Sequence, residues 1–236
     1  MVVRKSAVCW LACLAVLTAT IGLAASQEGG WVSLFDGKTL NGWSVHSGFA
    51  KYAVEDGMIV GTAVKGSPNS FLCTDKEYGD FVLEFEVKVD PALNSGVQFR
   101  SHIAKEPMAF IFQDAKGQPR TTTIPKDRVY GYQVEIATAA SHSCGGVYDE
   151  ARRGFFIADI RNDPKAGAAF KDNEWNKYRI ECKGNAMKTW VNDVPCANYK
   201  DSLDAKGVFG LQVHQIADKD FKPYQVRWRN IRIKDL

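Results

Sequence analysis

The run Phe81–Val89 (FVLEFEVKV) restricts the fold more than any other stretch of the chain. Phe81, Leu83, Phe85, Val87 and Val89 alternate with Val82, Glu84, Glu86 and Lys88. A period of two puts these sets on opposite faces of a β-strand, which predicts a sheet with one face in a core and the other in water. On the wet face, Glu84, Glu86 and Lys88 need do no more than pair with neighbours.

Similar signals recur at short intervals. Trp31–Phe35 ends at the turn pair Asp36-Gly37. Lys51–Glu55 and Met58–Ala63 flank Asp56-Gly57, the turn chemistry of a β-hairpin. Trp175–Cys182 and Ala186–Val191 flank Lys183-Gly184-Asn185, and Asn192-Asp193 starts a further turn. Gly207–His214 shifts parity near Gly210. Tyr224–Ile233 does so near Arg229-Asn230, where a bulge would keep Tyr224, Val226, Trp228, Ile231 and Ile233 all inside. Residues Ala104–Arg128, with Pro107, Pro119 and Pro125, read as a long functional or mobile connection. Gly145–Gly154 reads as a loop or short hairpin. No helix longer than about two turns has a convincing pattern or cap. About a dozen short strands at this spacing predict an all-β, two-sheet sandwich.

The start of the chain stands apart. Arg4 and Lys5 precede an uncharged apolar or small run from Ser6 to Ser26, which predicts a secretory signal peptide over residues 1–26. A retained membrane anchor is the alternative, but the Leu-rich portion is shorter than the ~20 residues a span needs. Cys13 lies too early in the run for a lipoprotein site. Residues 27–236 are then expected to form one domain of a secreted or periplasmic protein. Removing Arg4 and Lys5 leaves 28 basic against 27 acidic residues, a net charge of +1 rather than +3. That balance argues against nucleic acid or an anionic membrane as partner. Cys73, Cys144, Cys182 and Cys196 remain, without the CxxC spacing of a zinc site. Disulfides and free thiols both stay open.

The stretch Val129–Ala137 (VYGYQVEIA) carries the first hint of a site. Tyr132, Val134 and Ile136 want a core, while Gly131, Gln133 and Glu135 share the opposite face. Two other strands repeat the pattern: Gly96, Gln98, Arg100 and His102, and Gly210, Gln212 and His214. If these strands are neighbours, they tile one polar surface. Its amides and Arg suit sugar hydroxyls and carbonyl oxygens, and its glycines leave depth for a ligand.

Glycosidases of the usual kind need two carboxylates about 5–5.5 or 6.5–9.5 Å apart. Only Glu135 lies in the three-strand set; Asp149 or Glu150 could add a second acid from the glycine-bounded loop, without a compelling signal. A lone carboxylate with His and Arg nearby fits proton abstraction beside a carbonyl better. Nucleophilic catalysis has little support, since no GxSxG is present and the cysteines lack a motif partner. His102, His214 and Glu135 could hold a divalent ion, although nothing in the sequence requires a cofactor. His46 and His142 read as surface or packing histidines.

Several motifs resemble the 3-keto-disaccharide hydrolase domain family. They are the opening Leu34-Phe35-Asp36-Gly37-Lys38-Thr39-Leu40-Asn41-Gly42-Trp43, Asn94-Ser95-Gly96-Val97-Gln98-Phe99-Arg100, Gly131–Glu135, Gly146-Val147-Tyr148-Asp149, Glu174-Trp175-Asn176, Thr189-Trp190-Val191-Asn192, Gly210-Leu211-Gln212-Val213-His214 and the closing Arg227-Trp228-Arg229-Asn230-Ile231-Arg232-Ile233. They cover nearly all of the mature chain in the family's order. Two departures stand out. Many members read Gly-Tyr-Glu-x-Gln where this chain has Gly-Tyr-Gln-Val-Glu, and Asn-Gly where it has Asn192-Asp193. The resemblance implies a jelly roll of the concanavalin A-like lectin/glucanase type, exported by bacteria and acting on sugars oxidised at C3. It implies Glu135 or His214 as the base, Arg100 as enolate stabiliser, and Gln98, Gln133, Gln212, His102, Tyr148 and Asp149 as substrate-binding residues. A non-catalytic carbohydrate-binding sandwich is the alternative, and a conventional glucanase the third reading.

Overall fold

The computed structural model describes residues 29–114 and 116–236, so the leader expected at residues 1–26 lies outside the described residues. In chain order the strands are β1 (Val32–Ser33), β2 (Trp43–His46), β3 (Lys51–Glu55), β4 (Met58–Thr62), β5 (Ser70–Thr74), β6 (Phe81–Val89), β7 (Ser95–Ile103), β8 (Met108–Gln113) and β9 (Pro119–Ile124). They continue with β10 (Val129–Ile136), β11 (Val147–Glu150), β12 (Phe156–Ala158), β13 (Asn176–Lys183), β14 (Ala186–Val191), β15 (Val194–Lys200), β16 (Val208–Val213) and β17 (Gln225–Asp235). Among the described residues the one α-helix is four residues long, Pro164–Gly167, capped by the Asp163 side chain.

Two antiparallel sheets pack face to face. The outer sheet runs β15-β14-β13-β6-β17-β4-β3, with β1 beside β17, and the inner sheet runs β12-β11-β10-β7-β16-β5-β2. This is the sandwich expected from the period-two runs. The apolar set of β6 is buried to 3% exposure or less and meets Leu72, Val97, Phe99, Tyr132, Val134 and Leu211 of the inner sheet. Each such side chain contributes about 1.5–3 kcal/mol by leaving water. On the outer surface Glu84 pairs with Arg179 at 3.1 Å and with Arg232 at 2.6 Å, and Glu86 with Arg229 at 2.7 Å.

Of the two expected parity shifts one occurs: β16 keeps strict alternation, with Phe209, Leu211 and Val213 in the main core and Val208 on the opposite face with Phe71, Cys73 and Val129. In β17 the register slips between Arg229 and Arg232 around Asn230 (φ 53°), and Val226, Trp228, Ile231 and Ile233 all stay inside. Beside Gly210 the slip belongs to the neighbouring strand. β7 advances three residues, Phe99 to His102, while β10 advances two, and it advances three against two again opposite β16. The extra residue is Arg100, at φ 47°. That bulge reorganises the site.

The connection Ala104–Arg128 is more ordered than its three prolines suggested. It contains the ribbon β8–β9, whose turn is closed by the Asp114 carboxylate accepting from the Lys116 and Gln118 N–H groups at 2.9 Å each. His46 fastens its far end through Asp127 at 2.5 Å, while His142 packs beside Gly167. Cys73, Cys144, Cys182 and Cys196 are all free thiols. Among the described residues no helix is long and apolar enough to cross a membrane.

Candidate active site

Strand register brings the polar residues into rows on the open face of the inner sheet. Glu135 lies opposite Gly96, and one step beyond the Leu211–Val97 pair Gln212 lies on the other side of that glycine. The next row is Tyr148, Gln133, Gln98 and Gly210. Adjacent strands are about 4.8 Å apart, so Glu135 and Gln212 rise about 10 Å from one another. Above them opens a pocket of about 660 Å³ lined by Gln133, Glu135, Tyr148, Glu150, Gln212 and His214.

Glu135 is 9% exposed. Asn94 Nδ2 donates to its Oε1 at 2.7 Å, and Gln133 Nε2 reaches its Oε2 at 3.4 Å. Burial pushes the carboxyl up to about 7, against the pull of these two donors and with a further push from Glu150. Such a group exchanges protons near neutrality, as a general base must. Gln212 is fully buried, and neither its amide nitrogen nor its amide oxygen has a protein partner. An orphaned pair of this kind costs about 1–3 kcal/mol per group, so a ligand that supplied partners would recover that cost.

Glu135 is not the pocket's one carboxylate. Glu150 lies opposite Gly131, on the same face as Tyr148, where Arg128 pairs with it and Asn69 Nδ2 donates to it at 3.2 Å. Of the two acids read from the Gly145–Gly154 segment, Glu150 enters the pocket and Asp149 turns away. Asp149 is fully buried between Arg152 and Arg153.

Other expected site residues are also displaced, and the β7 bulge explains two of them. Arg100 leaves the face of Gln98. It is fully buried, with Nε donating to the Gly79 carbonyl at 2.8 Å, Nη1 to the Gly184 carbonyl at 2.7 Å, and Nη2 to Asp80 at 2.8 Å. It ties β7 to two turns of the outer sheet and cannot stabilise an enolate in the pocket. His102 pairs with Asp204 at 2.8 Å in a separate concavity with Tyr130 and Met108. It therefore does not converge with His214 and Glu135, and among the described residues no group of three His, Cys, Asp or Glu side chains is placed to hold a metal ion. Gln98 lies under Gln133 without lining the pocket. Tyr148 and His214 do line it, the latter with Nδ1 turned to the Gln215 carbonyl at 2.8 Å.

Asn69, Asn94, Arg128 and Arg153 line the pocket as well, as do Phe112 and Arg120 from the β8–β9 ribbon. Asn94 carried a signal, since it opens the Asn94-Ser95-Gly96 motif, and Arg128 directly precedes β10. Phe112 and Arg120 carried none, because only the folded ribbon brings them over the sheet.

Similar architectures occur among solved structures. A candidate glycosyl hydrolase from Parabacteroides distasonis is 19% identical, with a TM-score of 0.54, covering 88% of this chain and 94% of its own. The carbohydrate-binding module CBM66 of Bacillus subtilis is 17% identical, with a TM-score of 0.52 over 82% of this chain and 96% of its own. A Bacillus subtilis protein of unknown function with a galectin-like fold is 10% identical, with a TM-score of 0.50 over 83% and 90%. At such identities the likeness is one of fold: the concanavalin A-like lectin/glucanase sandwich. No curated protein matches the sequence. The profile of the 3-keto-alpha-glucoside-1,2-lyase-like domain matches residues 30–234, nearly the whole described chain, and the protein belongs to that carbohydrate-active family.

Proposed function

We propose that the domain cleaves 3-keto-glycosides by elimination and hydration, with Glu135 as the base. The observation that carries this reading is a buried carboxyl poised near neutrality in the same pocket as the unpartnered amide of Gln212. A ketone at C3 acidifies the hydrogen on C2. Glu135 takes that hydrogen as a proton, the electron pair passes into an enolate, and the Gln212 N–H donates to the enolate oxygen. Re-formation of the ketone expels the C1 oxygen, which departs as an alcohol after protonation and leaves a C1–C2 double bond. Water adds at C1 and C2 regains a hydrogen, so the net change is hydrolysis. Gln133 and Tyr148 bind sugar hydroxyls. His214, at the rim, suits proton delivery to the leaving alcohol better than abstraction at the floor. The basic-then-apolar leader supports export to a compartment where glycans are met.

Incubating a 3-keto-glucoside with the protein in deuterated water tests the route. Deuterium should enter at C2 during turnover, and its absence would rule out elimination. A second reading, sugar binding without turnover, is favoured by the amide-rich floor. It predicts that unoxidised glycans bind with no turnover, and that Glu135→Gln and His214→Ala leave ligand binding and any cleavage unchanged.

A further inference from the structure

Gln98 is fully buried and does not line the pocket, yet it sits within a hydrogen-bonded chain that ends there. Ser101 Oγ donates to Gln98 Oε1 at 2.6 Å, Gln98 Nε2 donates to Gln133 Oε1 at 2.8 Å, and Gln133 Nε2 reaches Glu135 Oε2 at 3.4 Å. An ionised carboxylate only accepts. It therefore fixes which way the Gln133 amide turns, Gln133 fixes Gln98, and Gln98 draws the Ser101 hydrogen away from the Tyr132 carbonyl, 3.0 Å from the same oxygen. The chain has a direction, and it points at Glu135.

The bulge and three glycines make room for it. The extra position taken by Arg100 brings Ser101 within reach of Gln98. A Cβ at Gly131 would stand 2.8 Å from Ser101 Oγ, one at Gly210 would stand 3.3 Å from Gln98 Cβ, and one at Gly96 would stand 2.6 Å from Gln133 Cγ. Each glycine lies against a different member. The depth that the sequence seemed to leave for a ligand is filled by these side chains.

We propose that Ser101, Gln98 and Gln133 form a polarised relay that holds the Glu135 carboxylate in its working orientation, with Gln98 as a positioning residue; the proposal rests on Glu135 being the base. When Glu135 accepts a proton on Oε2, the new O–H must donate. Gln133 and Gln98 then turn over together, and the Ser101 hydrogen passes to the Tyr132 carbonyl. Other ionisable groups surround Glu135: Glu150 and Tyr148 on β11, His214, Arg128 and Arg153 around the pocket, Cys144 nearby, and Tyr178, whose hydroxyl donates to the Glu135 carbonyl at 3.2 Å. None of them hydrogen-bonds to Gln98 or Gln133.

The experiment is a titration of the Glu135 side-chain carbon by NMR in protein labelled with 13C-glutamate, the signal being assigned by its loss in Glu135→Gln. Gln98→Met keeps the volume and removes the relay from both protonation states; the bonds leading to the ionised carboxylate are the charge-assisted ones, so the ionised form loses more and the midpoint should rise by about one pH unit. Gln98→Glu, which offers no N–H and adds a negative charge, should raise it further. The acid limb of kcat/KM on a 3-keto-glucoside should move with the midpoint while KM holds. An unchanged midpoint in Gln98→Met would reduce the relay to packing and overturn the proposal. If the midpoint moves but the wild type cleaves no keto-glycoside, the relay stands and the assignment of Glu135 as base falls. Should Gln98→Met fail to fold, Ser101→Ala cuts the far end and should show a smaller rise, with no rise again overturning the proposal.

Discussion

Gln212 and Glu135 flank Gly96 from opposite sides, two strands apart, so a free amide and an ionisable carboxyl share one volume above a residue that has no side chain. The Gly96 notch is where the Gln133 side chain lies, which gives Glu135 its second donor. A group abstracting a proton from C2 and a donor receiving charge at the C3 oxygen need this kind of two-sided arrangement.

Glu135→Gln should lower kcat on a 3-keto-glucoside by about 10²–10⁴-fold, the usual worth of a positioned base, while ligand affinity changes little. Steady-state kinetics alongside calorimetric binding would check both halves.

The same carboxyl links activity to stability. Its pKa is raised from 4.5 to about 7 on folding, so the folded state holds the proton more tightly than the unfolded state. Its contribution to stability is therefore complete below about pH 4.5 and is lost as pH rises through 7. Glu135→Gln should raise the unfolding free energy at pH 8 by an amount on the order of 2–3 kcal/mol and change little at pH 4. Denaturant curves at the two pH values would show the crossover, and equal effects at both would contradict it.

Gln212→Leu removes two buried groups that have no partner, so it should be neutral or stabilising by about 1–3 kcal/mol while lowering kcat by about 10²–10³-fold. A loss of stability instead would mean that the amide has partners in solution.

Arg100→Met should cost about 1–3 kcal/mol of stability, because it removes the buried guanidinium whose three bonds tie β7 to the Gly79 and Gly184 carbonyls and to Asp80, although these partners regain water. The folded fraction should retain wild-type kcat and KM. A selective fall in kcat at unchanged stability would return Arg100 to the reaction.

Much of this could be read before the fold was seen. The alternation in β6 and the hairpin turns at Asp56-Gly57 and Gly184 gave the sandwich, because burial and turn geometry are set by neighbours in sequence. The faces of β10 and β16 were legible for the same reason. Parity fails where one residue is inserted, and at Arg100 nothing local marks the insertion. Positive φ is uncommon outside glycine, so an arginine gives no warning of it. The bulge moved Arg100 and His102 off the polar surface and brought Ser101 to it. Glu150 reads as part of a loop because β11 is only four residues long, too short for alternation to separate it from Asp149. The β8–β9 ribbon was obscured by its prolines, although Pro119 sits at the start of a strand, where a missing N–H is tolerated.

The ribbon begins and ends at nearly the same place. Ala104 N–H donates to the Arg128 carbonyl at 3.0 Å, and Asp127 N–H donates to the Ala104 carbonyl at 2.7 Å. Everything between is an excursion from the sandwich whose ends are already joined, and lengthening such an excursion adds little closure entropy. The floor, with Glu135, Gln133 and Gln212, belongs to strands that also build the core and has little freedom to vary. One wall, with Phe112 and Arg120, belongs to the excursion. Under the proposed cleavage, reaction and selectivity would sit on separately replaceable parts, and exchanging residues 105–126 should change which leaving group is accepted without rebuilding the chemistry.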